Sequence, residues 1–174
     1  PVERWWPRGE GSQPLYRLCC RLRGPGGAPQ DEWTADVGFK DVAWHDCAGA
    51  PAGADPWICE VNGRPLFLQG VNWTPIRPLY ADVTAADYEK RIRAYADMGC
   101  NLLRVWGGGL METEEFYEQC DRLGILVWQE FSQSSSGIES VPADDPAFVE
   151  TMREEARQIV PRRRRHPSLA LWCG

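Results

Sequence analysis

The pattern of apolar and polar positions changes character near residue 60. Before that point no helical period appears; short alternating or β-rich runs, "PLYRLCCRL" and "EWTADVGFKDVAWHD", are separated by the loop "RGPGGAPQDE". Such alternation predicts antiparallel strands, the closing part of a β-sandwich. So few strands cannot bury two sheet faces, so further strands are expected upstream of Pro1. "CAGAPAGADP" reads as a loop. "ICEVNGRPLFLQGVNW" reads as a hairpin turning at Asn62-Gly63 and leading into an apolar strand from Leu66 to Val71.

Beyond Asn72 the period becomes helical. "DVTAADYEKRIRAYADMGC" predicts a helix capped by Thr84, with Asp87 three residues later, an apolar stripe of Tyr88, Ile92, Tyr95 and Ala96, and a stop at Gly99. "NLLRVW" follows as a strand. "METEEFYEQCDRLG" is a second helix, with Thr113 as its cap, acids in its first turn and Gly124 as its stop. "ILVWQEF" is a strand, and "DDPAFVETMREEARQIVPRRRRHP" a helix opened by Asp145-Pro146 and broken or kinked at Pro161. "SLALWC" is the last strand. Short turns between alternating strands and helices predict parallel βα units. The likeness of "DMGCNLLRVW" to "DRLGILVW" is a weak internal repeat of that unit. Four units make half of a (β/α)8 barrel or most of a small doubly wound sheet.

In either architecture the functional face lies at the carboxyl ends of the parallel strands. Those ends carry Asn72 and Trp73, then Arg104 and Trp106, then Trp128, Gln129 and Glu130, and finally Trp172 and Cys173. Tryptophans interleaved with amide, guanidinium and carboxylate groups suit a sugar, whose C–H face packs on indole while its hydroxyls take directed hydrogen bonds. Each residue also has a purely structural reading. A strand-end Trp can be the lid of a barrel core, Arg104 can be an ion-pair partner of Glu130, and Asn72 can satisfy loop backbone.

Composition narrows the function further. The formal charge of −6 supplies no positive field for nucleic acid or an anionic membrane surface. No apolar run reaches the ~20 residues that span a bilayer. Seven cysteines with no C-x-x-C pair, beside two histidines, give neither a disulfide framework nor zinc-ligand spacing. Unpaired thiols favour a reducing, cytoplasmic setting. "WGGGLMETEEF" places three glycines between strand and helix, yet its spacing is not that of a dinucleotide loop, and Glu112, Glu114 and Glu115 occupy the turn where a phosphate would sit. The glycines are read as a turn passing close to a ligand or to the next loop. "RRRR" at 162–165 places cations at a helix carboxyl end, and "SQSSSG" at 132–137 is a polar loop that would lie over the rim.

The ordered set "LFLQGVNWTP", "MGCNLLRVWGGG", "LGILVWQEF" and "HPSLALWCG" resembles the catalytic domain of glycoside hydrolase family 2, in particular its β-mannosidase branch. "WWPRGEGSQPLY" and "VGFKDVAW" resemble the last strands of the immunoglobulin-like domain that precedes that barrel. The resemblance implies an α/β chain divided into residues 1–60, the end of an immunoglobulin-like β-sandwich, and residues 61–174, the first four βα units of a (β/α)8 TIM barrel. It implies retaining hydrolysis of a terminal β-mannoside, with no cofactor or metal and with carbohydrate as the partner. Arg104 is implied in the pocket around the terminal sugar, with Trp106 beside it. Asn72, Trp73, Trp128, Gln129 and Glu130 match the family's other rim positions.

Retaining chemistry uses two carboxyl groups ~5–5.5 Å apart, a nucleophile and an acid/base. The family's acid/base follows Leu-Trp-Cys-Gly in an Asn-Glu pair and its nucleophile lies on a later strand, so both are expected beyond Gly174. Residues 1–174 alone are then expected to be inactive and, with strand edges bare, prone to aggregate. Glu130 is expected to orient substrate or to support Arg104. "TPIRPLYADVT" and "SQSSSGIES" depart from the branch's usual loops, which leaves β-glucosaminides and β-galactosides as alternative substrates. A non-catalytic carbohydrate-binding protein is the alternative from another class.

Overall fold

Three separate sheets and three helices make up the chain in a computed structural model that describes residues 1–133 and 141–174. The first sheet is a two-stranded antiparallel ribbon, β1 (Tyr16–Arg23) with β2 (Pro29–Val37). Its register puts Leu18, Cys20 and Trp33 on one face, while Arg17–Asp36 and Arg21–Glu32 ion pairs cross the other. Alternation thus gives the ribbon one apolar and one charged face. No second layer covers the apolar face among the described residues, where Leu22 and Trp33 stay half-exposed or more.

β3 (Val42–His45), β4 (Ile58–Val61) and β5 (Arg64–Leu66) form the second sheet, in that order. Asn62 and Gly63, with φ of 54° and 85°, make the tight turn between β4 and β5. The Asn62 side chain also accepts from Asp41 N at 2.9 Å and donates to the Trp5 carbonyl at 2.9 Å, tying the amino-terminal segment to the hairpin. The apolar stretch from Leu66 to Val71 is not one strand: β5 ends at Leu66, and the next strand begins at Gly70. The backbone leaves the antiparallel sheet to enter a parallel one at Gln69, whose side chain donates to the Gly99 carbonyl and whose backbone N–H donates to Asn101 Oδ1.

The third sheet is wholly parallel, in the order β6 (Gly70–Trp73), β7 (Leu102–Val105), β8 (Leu126–Glu130), β9 (Leu169–Cys173). Helices α1 (Ala85–Asp97), α2 (Glu114–Leu123) and α3 (Pro146–Arg163) connect its strands. Thr84 and Asp87 form a full capping box on α1, and Asp145 caps α3 through the Ala147 and Phe148 amides. Thr113 occupies the N-cap of α2 without a side-chain cap bond. Pro161 does not end α3, which continues to Arg163. So close to the helix end its missing N–H removes little, and Arg163 is pinned beyond it to Glu114 and to the Glu112 carbonyl.

Two cores follow from the strands' period of two. Leu103, Val105 and Val127 face the helices, joining Trp73, Tyr88, Ile92, Phe116 and Tyr117. Leu102 and Leu126 face the opposite way and pack with Trp5, Cys59 and Val61, so the amino-terminal segment and the hairpin plug the entry end of the sheet. Trp5 is fully buried and donates its indole N–H to the Asp121 carbonyl at 2.7 Å. The "RRRR" segment does more than offset a helix dipole. Arg163 and Arg165 both reach Glu114 on α2, and His166 lies between Glu114 and Asp121, with Nδ1 2.6 Å from Asp121.

Candidate functional site

The face of the parallel sheet opposite the helices, the concave face of the expected barrel, carries the candidate chemistry. The register aligns Asn72 with Arg104 and Arg104 with Trp128, so these three share a row. Glu130 stands two residues further along β8, on the same face. Arg104 Nε donates to Glu130 Oε1 at 2.6 Å, its Nη2 reaches the same carboxylate oxygen, and Nη1 donates to Asn72 Oδ1 at 3.0 Å. The guanidinium lies 5.6 Å from the Trp128 ring centroid, within range of a cation–π contact. Arg104 is a third exposed while Glu130 is 13% exposed, so the carboxylate supports the pair and the guanidinium faces the open side.

Glu130 has a second duty. Its Oε2 accepts from Gly107 N at 2.8 Å, fastening the glycine turn to the end of β8. A Cβ on Gly107 would lie 2.4 Å from the Phe131 carbonyl, so only glycine allows this approach. The three glycines therefore serve passage of a neighbouring loop. Trp106 is partly exposed on that turn, with Gly108 packed against its indole.

Two of the anticipated rim residues do not reach this face. Trp73 is 2% exposed, faces the helices, and donates its indole N–H to Glu112 Oε1 at 2.8 Å; Tyr88 OH binds Glu112 Oε2 at 2.5 Å. Gln129 is 1% exposed behind the sheet and accepts from the Tyr117 hydroxyl. Trp73 and Gln129 lie in one register row with Val105, on the helix side, because adjacent residues of a strand point to opposite faces. Trp172 stacks on Phe131 at 5.2 Å. The face thus gathers Asn72, Arg104, Trp128 and Glu130, flanked by Trp106. The 134–137 part of the polar loop after β8 lies outside the described residues.

One contributor escaped the sequence reading altogether. Trp57, in the segment before β4, stacks on Trp128 with centroids 6.1 Å apart and planes at 23°. Its position beside a loop of small residues gave no periodic signal. Glu112, read as a charged turn residue, is a buried acceptor for two donors; the neighbouring acids gave no sign of that difference. Among the described residues no group of three or more His, Cys, Asp or Glu is placed to hold a metal, and no helix is long and apolar enough to cross a membrane.

The arrangement suits a polar, uncharged, ring-shaped ligand: a guanidinium and an amide offer hydrogen bonds beside exposed indole, and the Glu130 carboxylate holds the guanidinium in place. The four strands carry a single acid, Glu130, and both of its oxygens are engaged.

Comparison with known proteins places this geometry. The sequence model of the glycosyl hydrolases family 2 TIM barrel domain matches residues 58–174. The chain is 37% identical over 175 residues to the β-mannosidase of Mus musculus, covering 99% of the chain and 19% of that protein. The crystal structure of β-D-mannosidase from Dictyoglomus thermophilum superposes with a TM-score of 0.83 at 34% identity, covering 98% of this chain and 20% of that one. The exo-β-D-glucosaminidase CsxA of Amycolatopsis orientalis shares the fold, with a TM-score of 0.78 at 23% identity over 97% of this chain and 19% of that one. The chain spans about a fifth of the length of the relatives it matches.

Proposed function

This chain belongs to glycosyl hydrolase family 2, and from that premise we propose that it is the sugar-recognition half of a retaining exo-β-mannosidase barrel. The observation that carries this reading is the Arg104 cluster, in which one guanidinium is held by Glu130 and Asn72 above the Trp128 indole on the concave face. A mannoside ring packs its C–H face on indole, and Arg104 and Asn72 supply directed bonds to its hydroxyls. Glu130 orients Arg104, since one of its oxygens accepts from the guanidinium and the other from the Gly107 amide. Trp106 borders the pocket, and Trp73 and Gln129 support it from behind the sheet.

Residues 61–174 form the first four βα units of an eight-stranded barrel on this reading, and residues 1–60 hold the final strands of an immunoglobulin-like sandwich. The all-parallel sheet supports the barrel, as do β6 and β9, each of which pairs along one edge. α3 buries no residue, whereas α1 and α2 bury three and four, in keeping with a further helix packing on it. The apolar face of the β1–β2 ribbon supports a missing sandwich layer. The acid/base and nucleophile, ~5–5.5 Å apart in a retaining enzyme, then come from outside residues 1–174.

The whole protein carrying this segment should hydrolyse p-nitrophenyl β-mannoside in preference to the β-glucosaminide and β-galactoside, while purified residues 1–174 should hydrolyse none. Preference for β-glucosaminide would move the substrate to the activity named for CsxA. Turnover by residues 1–174 alone, abolished in Glu130→Gln, would overturn the division of roles.

A further inference from the structure

We propose that Trp57 is a positioning residue for the sugar pocket, fixing the Trp128 indole and through it the Arg104 guanidinium; this rests on the reading of the concave face as that pocket. Trp57 lies just before residue 58, where the family match begins, so it reaches the barrel face from the preceding segment. Three contacts form a chain. Trp44 meets Trp57 edge-on at 6.2 Å and 85°, Trp57 stacks on Trp128 at 6.1 Å and 23°, and Arg104 stands 5.6 Å from the centroid of the Trp128 ring.

The Trp128 indole N–H gives this chain its leverage. It is buried and has no hydrogen-bond partner among the described residues. An unpaired buried donor favours any rotation that finds an acceptor. Among the described residues the ring is held by packing, and Trp57 supplies the stacked face of that packing. Remove Trp57, and Trp128 can turn toward a partner, taking with it the surface on which Arg104 rests. Arg104 would keep Glu130 and Asn72 but lose the aromatic contact that sets its height above the floor.

Trp57 itself is 58% exposed, and a cavity of about 470 Å3 lined also by Pro65, Leu66 and Phe67 opens beside it. Truncation therefore opens no sealed void and should leave the fold intact. This separates a positioning role from a structural one.

The test uses the whole protein and an aryl β-mannoside. Trp57→Ala is expected to raise KM about three- to tenfold, the worth of one aromatic pair, with kcat changed less, and Trp57→Phe is expected to restore KM to within about twofold of the wild type. In an Arg104→Ala background, Trp57→Ala should add little, because the two act through one path. Trp57→Leu, which keeps bulk without stacking, carries the test should the alanine variant not fold. Wild-type KM in the alanine and leucine variants, alongside impaired Arg104→Ala, would overturn the role of Trp57 and leave the sugar pocket standing. A wild-type protein inactive on every β-glycoside would overturn the pocket reading and this role with it.

Discussion

Lys40 reaches from the loop before β3 to donate to the Leu169 carbonyl at 2.7 Å, joining the amino-terminal region to the start of β9. Burial there lowers its ammonium from the ordinary 10.5 to about 8, against the opposing pull of Asp121 and Cys59. A lysine depressed in the folded state contributes stability that is present above the unfolded value and lost as pH falls through about 8. Burial pushes the Tyr117 phenol and the Cys120 thiol upward, so those groups act in reverse, costing stability as pH climbs past their unfolded values. The difference between wild type and Lys40→Met isolates the lysine. Between pH 7 and 10 urea unfolding should show the wild type gaining on the variant, by at most about 3 kcal/mol. A constant difference across that range would contradict the burial of Lys40. None of this was legible in the sequence, where Lys40 is one cation in a β-rich run. Arg104 and Glu130 were legible, because polar groups at the ends of apolar strands stand out.

Between β6 and β7 the backbones approach so closely that the register depends on one residue. A Cβ on Gly70 would lie 2.0 Å from the Leu102 carbonyl, its register partner. No rotamer relieves a clash between Cβ and backbone. Gly70→Ala is expected to cost at least about 3 kcal/mol, seen as a lowered urea midpoint for the barrel domain, whereas a wild-type midpoint would contradict the Gly70–Leu102 pairing. The helices could be read in advance because their signals are local: the Thr84 capping box, the Asp145-Pro146 start, and the stripe from Tyr88 to Ala96. Strand limits were less legible. Leu66 and Val71 belong to different sheets, yet both lie in one apolar run, and the sheet a residue joins depends on partners far away in sequence. The faces of Trp73 and Gln129 were misread for a related reason: a tryptophan or an amide at a strand end is compatible with either side, and only the register decides.

At the scale of the whole molecule, the sheet face opposite the helices carries one carboxylate, Glu130, tied to Arg104 and Gly107. The segment before the barrel helps to build that face, since Trp5 plugs its entry end and Trp57 stacks on Trp128. Substrate recognition on this reading resides in these units, and bond cleavage in carboxylates supplied elsewhere in the protein. Arg104 is the residue on which that separation turns, because it touches Glu130, Asn72 and the Trp128 face at once. The most direct test is kcat/KM for p-nitrophenyl β-mannoside in the whole protein, wild type against Arg104→Ala, with thermal unfolding to confirm the fold. Losing a charged hydrogen-bonding group from the pocket should lower kcat/KM by about 100-fold or more, the equivalent of about 3 kcal/mol. A folded Arg104→Ala enzyme with wild-type kcat/KM would contradict the account.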